Sequence, residues 1–187
     1  MTLNSKPPTD TELVLMLTQG KDVELGFRFL LQKYQKKVYW QVQKMVLSHE
    51  DANDLTQDIF IKIWQNLNKF RSEAQLSTWI FRIAHNETLN FIAKNKKNSS
   101  SSIENLQIEG GSRADEIDLN GEEIQNLLKK AILTLPEKQR AVFNLKYYDE
   151  MTYEQISEIT DTSVGALKAS YHLAVKKIEA FLNNETM

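Results

Sequence analysis

Between Asn98 and Gly121 the chain has almost nothing to bury: NSSSS is followed by an acidic, glycine-containing run with few large apolar residues and no helical period. Such a stretch cannot repay its own conformational entropy by packing, and it reads as a flexible linker of about 23 residues. The remainder must fold as two blocks, residues 10–97 and 122–187, each with its own core, behind an N-terminal tail at residues 1–9. Charge follows the same division. From Asn98 to Asn126 one basic residue, Arg113, stands against seven acidic ones, a local charge of −6, whereas the whole chain carries only −2. Outside that window 22 basic face 18 acidic side chains, so two mildly basic blocks flank an acidic middle and cancel in the total.

In the first block Phe27, Leu31, Tyr34, Val38, Val42 and Met45 recur at three- and four-residue spacing. They predict the buried stripe of a long helix, with Gly20 and Gly26 as the breakers between Asp10 and Leu47. Ser48 to Asp51 supplies capping residues for a helix from Ala52 to about Leu67, on which Leu55, Ile59, Ile63 and Leu67 stack four apart. Phe60 and Trp64 form a second apolar row beside them. Two rows exceed what a surface helix needs, so either one serves a partner or the helix is wedged into a small core. Asn68 to Ser77 reads as a loop. A helix over Thr78–Lys97 then turns Ile80, Ile83, Ala84 and Phe91 inward. Arg82, Asn86, Asn90 and Lys94 fall at strict four-residue spacing, a stripe of donors about 18 Å long that suits a ligand or an ordinary solvated face.

In the second block Ile124, Leu127, Leu128, Ala131, Ile132 and Leu135 are at helical spacing, and Pro136 opens a helix carrying Ala141, Val142 and Leu145 to about Tyr148. No strand signal of any length occurs, and the expected class is all-α. Thr152 suits the cap of a short helix that buries Tyr153, Ile156 and Ile159; Asp161 and Thr162 form a turn; Ser163 caps a last helix of about 20 residues. Two helices joined this way make a helix-turn-helix. In the second of them Val164, Leu167, Tyr171, Ala174, Ile178 and Phe181 pack inward. Lys168, His172 and Lys176 line the other side with Ser170 and Lys177 nearby, a set suited to phosphates and base edges in a major groove.

Cysteine is absent, which excludes a disulfide framework, a thiolate nucleophile and a cysteine zinc site, and makes the cytosol the natural compartment. The N-terminus lacks a basic start before an apolar run, and no window holds the roughly 18 apolar residues of a membrane helix. The three histidines, His49, His85 and His172, lie far apart, and no phosphate-binding glycine loop is present. Neither an enzyme nor a cofactor or metal site is expected. A self-sufficient helix-turn-helix regulator, with residues 10–97 for dimerisation or sensing, is the alternative function; it leaves the second apolar row unexplained.

Three segments in order, DANDLTQDIFIKIWQNLNKF, FRSEAQLSTWIFRIAHN and LTLPEKQRAVFNLKYYDEMTYEQISEITDTSVGALK, strongly resemble the bacterial RNA polymerase sigma factors of the sigma-70 family, in the extracytoplasmic-function (ECF) group. The resemblance implies a two-domain promoter-recognition subunit without an active site, contacting the β′ clamp coiled coil and the β subunit of core polymerase. By motif position it assigns polymerase binding to Asp54, Gln57, Asp58, Phe60 and Trp64. It assigns the −10 element to Lys69, Arg71, the Ser72–Thr78 loop around an extruded base, Trp79, Arg82, Asn86, Asn90 and Lys94. Trp79 is expected to brace that loop from the core, with base stacking as the other reading. The −35 element falls to Ser163, Lys168, Ser170, His172 and Lys176, with Lys177 near phosphate. The acidic linker would thread toward the active-site and RNA-exit path, and an anti-sigma protein in trans is implied as an inhibitor.

The resemblance is imperfect at four positions. Ser170 and Leu173 stand where the family commonly has arginines, Asp161 where it has glycine and Asn90 where it has aspartate. Loss of two arginines removes bidentate guanine contacts, so the −35 sequence read here is not transferable from other members.

Overall fold

The computed structural model describes residues 7–19, 22–46, 48–70, 75–98 and 121–185. Among them are eight α-helices, one 3₁₀ turn and no strand, as the periodicities require. Arg71 and the expected linker, apart from Asn98 and Gly121 at its ends, lie outside the described residues. The chain separates into two compact units, the first of residues up to Phe91 together with Ser157–Asp161 and the second of the remainder.

The N-terminal unit begins with α1 (Asp10–Thr18), closed by a capping box in which Thr9 and Glu12 exchange side-chain-to-backbone hydrogen bonds of 3.3 and 2.7 Å. Helix α2 (Val23–Val46) buries Leu30, Tyr34, Val38, Val42 and Met45. Leu30 takes the central place expected of Leu31, one position along, and Phe27 and Leu31 flank the stripe half-buried. Tyr34 donates to the Asp10 carboxylate at 2.7 Å, and Lys33 pairs with the same group at 2.8 Å, which pins α1 to α2. Burial, and then the acceptor carboxylate, push the Tyr34 hydroxyl pKa well above its ordinary range.

Gly26 is not a breaker. It sits buried inside α2, where a Cβ would come within 2.9 Å of the Met16 Cβ and 3.3 Å of the Leu17 side chain. Its lack of a side chain therefore sets the approach of α1. Gly26→Val is expected to destabilise the unit by about 3 kcal/mol, the cost of overpacking a tight contact. Chemical denaturation followed by circular dichroism measures it, and a loss below half that value would show that α1 yields freely.

Helix α3 (His49–Gln65) starts three residues before the sequence expectation, because Ser48 is itself the cap and accepts from the Asp51 N–H at 3.2 Å. It ends at Gln65, two residues before the expected end, and Leu67–Lys69 forms a 3₁₀ turn leading into the expected loop. Helix α4 (Leu76–Asn98) closes the core with Leu76, Ile80 and Ala84.

In the C-terminal unit α5 (Gly121–Leu133), α6 (Glu137–Tyr147) and α8 (Val164–Glu185) share a core of Ala131, Ile132, Leu135, Phe143, Ala174 and Ile178. Two expectations shift. Pro136 occupies the N-cap of α6 and not its first turn, and Ile124, placed in the α5 core stripe by spacing, is 52% exposed. Helix α7 (Tyr153–Thr160) opens on a reciprocal pair: Thr152 N–H donates to Gln155 Oε1 at 2.9 Å and Gln155 N–H to Thr152 Oγ1 at 3.2 Å. Ile156 and Ile159 are its buried residues.

The turn between α7 and α8 passes through Asp161 at φ 52°. That left-handed conformation favours glycine and tolerates aspartate, which explains why Asp serves here. Asp161→Val is expected to cost about 1–2 kcal/mol, because a β-branched side chain meets the following carbonyl. Asp161→Gly should stay within about 0.5 kcal/mol of the parent, strain relief being offset by greater unfolded-chain freedom. Equal stability of the Val and Gly variants in thermal melts would remove the conformational explanation.

Candidate functional site

Three surfaces gather the residues singled out by the sequence. The first is the outer face of α3. Ala52, Leu55, Thr56, Ile59, Phe60 and Ile63 turn inward. Asp54, Gln57 and Asp58 are exposed, and Trp64 is 42% exposed with its ring edge-on to Phe27 at 4.8 Å. Phe60 corrects the expectation of a second exposed row: at 5% exposure it belongs to the core and offers no surface to a partner. Its place is taken by Ile61, which is 55% exposed. Asp54, Gln57, Ile61 and Trp64 step by 3, 4 and 3 along the face, with Asp58 alongside, so an apolar patch is ringed by acids and amides. The signal for Ile61 was present in the spacing: it is out of phase with Ile59 and Ile63, and only its hydrophobicity suggested burial.

The second surface is a groove of about 530 Å³ in the N-terminal unit. Lys62, Asn66 and Lys69, from the end of α3 and the 3₁₀ turn, form one wall. Trp79, Ile83, Asn86, Glu87 and Asn90 of α4 form the other. Lys62 and Glu87 form an ion pair across it, and Asn66, Lys69, Asn86 and Asn90 are among the other polar residues on the walls. Four expected −10 residues, Lys69, Trp79, Asn86 and Asn90, thus line one groove. Arg82 and Lys94 are exposed on α4 but do not line it. Trp79 is half-buried and packs at 5.1 Å on Phe70, which is itself buried, so it braces the chain at the edge of the undescribed 71–74 segment while one part faces the groove. His85, on the same helix, has its pKa lowered by burial, which favours the neutral ring.

The third surface is the helix-turn-helix of α7 and α8. Ser163 caps α8 by accepting from the Ala166 N–H at 3.4 Å, so its hydroxyl is engaged in the fold as well as exposed. Lys168, His172 and Lys176 are exposed as expected, and Ser170 is half-buried. The Lys168 ammonium lies 5.8 Å from the centre of the Tyr153 ring, with Lys146 at 5.1 Å from the same ring. At the start of α7 the Glu154 carboxyl is held below its usual pKa range, first by its own backbone N–H, then by the Thr152 hydroxyl, with Lys168 and Lys146 adding to the effect. Lys177 donates to Gln139 at 3.0 Å. Leu173, absent from the expected contacts, is 49% exposed. Among the described residues no cluster of three His, Asp or Glu side chains has the geometry to hold a metal ion, and no helix is long and apolar enough to cross a membrane.

The segments that carry these surfaces match two family models, Sigma-70 region 2 over residues 30–98 and Sigma-70, region 4 over residues 125–178. The chain is 32% identical over 156 residues to the ECF RNA polymerase sigma factor SigW of Bacillus subtilis (strain 168), covering 79% of this chain and 83% of the relative. It is 30% identical over 178 residues to the ECF RNA polymerase sigma-E factor of Escherichia coli (strain K12), covering 90% and 93%. Its fold is similar to that of CnrH, solved in complex with the cytosolic domain of CnrY (TM-score 0.69, 17% identity, 94% and 97% coverage). It is similar as well to the sigma factor RpoE of Bartonella quintana, solved with the anti-sigma factor NepR (TM-score 0.66, 24% identity, 84% and 96% coverage). With both regions matched in order and full-length relatives at this identity, the chain belongs to the ECF group of sigma-70 family RNA polymerase sigma factors, the promoter-recognition subunits of the polymerase.

Proposed function

We propose a division of that work among the three surfaces. The exposed face of α3 docks on core polymerase through Ile61 and Trp64, with Asp54, Gln57 and Asp58 as the polar rim. The groove between α3 and α4 holds the unstacked −10 strand: Lys69 meets phosphate, Asn86 and Asn90 meet base edges, and Arg82 and Lys94 follow the backbone along α4. The helix-turn-helix reads the −35 element with Lys168, His172 and Lys176. Residues 10–97 and 122–187 act as the two working domains, and the acidic 98–121 segment occupies the nucleic-acid path of the polymerase until RNA displaces it.

The observation that carries this reading is the separation of roles: the polar-ringed apolar patch on α3 and the amide-lined groove use different faces of one unit, and the helix-turn-helix is built from other helices, α7 and α8. The chain does no chemistry of its own and works where the polymerase is, in the cytoplasm. By extension from the relative solved with NepR, an anti-sigma protein in trans holds it inactive.

In vitro transcription with core polymerase, this chain and a library of genomic fragments tests the reading. Discrete start sites that require both components are expected, with weak duplex binding by the free chain. Tight sequence-specific binding by the free chain, without polymerase-dependent starts, would instead identify a self-sufficient regulator.

A further inference from the structure

Leu173 is a large apolar side chain, 49% exposed, on the helix that presents Lys168, His172 and Lys176. The core of the C-terminal unit takes Leu167, Ala174 and Ile178 from α8, and Leu173 is out of phase with all three. Its helix-surface neighbours at three and four residues are Ala169 and Ser170 on one side and Lys176 and Lys177 on the other. Leu173 therefore extends over a methyl and a hydroxyl toward the start of the helix, with two lysines suited to phosphate behind it. Ala169 is exposed too, so no long side chain beside it competes for the space in front.

In a major groove an apolar side chain cannot satisfy a base donor or acceptor, and placed against one it would leave that group unpaired. What it complements is the one apolar feature on a base edge there, the C5-methyl group of thymine. Resting on the proposed −35 role of α8, we infer that Leu173 is a specificity residue that packs against a thymine methyl in the −35 element. This chain then reads by apolar contact a base pair for which an arginine at the same position would select a guanine. A protein partner on Leu173 is the competing occupant; the basic flank formed by Lys176 and Lys177 favours DNA.

The test uses the complete chain assembled with core polymerase on a promoter found by start-site mapping. Each thymine of the −35 region, on either strand, is replaced singly by uracil, which removes only the methyl group. At one position open-complex formation by the parent protein should fall about fourfold, the effect of one methyl group returned to water. Leu173→Ala should lower activity on the thymine promoter to a similar extent and lose the discrimination, whereas Leu173→Met should retain it. Insensitivity of the parent to every uracil, or equal uracil sensitivity in Leu173→Ala, overturns the inference. So does a Leu173→Ala defect that appears equally on all templates together with weakened polymerase association, which marks a protein contact. Failure of the underlying reading is separable: scrambling the whole −35 region would then leave initiation unchanged.

Discussion

Ile61→Arg is expected to weaken association with core polymerase at least a hundredfold while leaving the N-terminal unit folded. Ile61 is 55% exposed and sits amid Asp54, Gln57, Asp58 and Trp64 on the outer face of α3. In a free chain an arginine there simply reaches into water, so the fold loses little. In the proposed docked complex the same position is the desolvated centre of the patch. Removing such an anchor costs about 2 kcal/mol or more, and desolvating a guanidinium there adds further to it. Phe60→Arg provides the contrast. Phe60 is 5% exposed, and a charge at that site should unfold the unit outright. Polymerase binding by fluorescence anisotropy, paired with circular dichroism, separates the two variants. If Ile61→Arg binds like the parent, α3 is not the docking face.

The second large effect is expected in the groove. Lys69→Ala combined with Asn86→Ala should reduce open-complex formation about thirtyfold, two lost hydrogen bonds at about 1 kcal/mol each, with polymerase association unchanged. The two side chains stand on opposite walls, one on the 3₁₀ turn and one on α4, so both contacts require a strand lying between them. Permanganate footprinting of unpaired thymines in the −10 region reads melting directly. The same promoter carrying a premelted bubble should recover part of the loss, because unstacking no longer has to be driven. A double variant that melts promoters at the parental rate would show the groove to be unused.

Much of this was legible beforehand because helices advertise their buried side by period. The all-α class, the caps at Thr152 and Ser163, the inward stripe of α8 and the exposed row Arg82, Asn86, Asn90 and Lys94 all follow from local spacing and capping chemistry, which neighbouring residues dictate. The misplacements share one cause. Phe60, Ile124 and Gly26 stand at the margins of their helical faces or at contacts between helices. There, composition does not say whether another helix arrives, and the answer depends on how the helices within each unit pack.

For function, the order of three motifs was enough to assign the family, because each motif is a run along the chain and needs no partner to be read. The exposed apolar patch on α3 was a matter of tertiary structure, since Phe60 and Ile61 are adjacent, similarly hydrophobic, and distinguished only by which side the core occupies. The same holds for the groove, whose walls come from residues about 20 positions apart in sequence and meet only when α4 folds back on α3. It holds again for Leu173, whose exposure beside the lysines of α8 follows from the packing of that helix on α5 and α6. Local sequence determines which residues a helix presents; only packing decides which of those faces is covered and which is left for a partner.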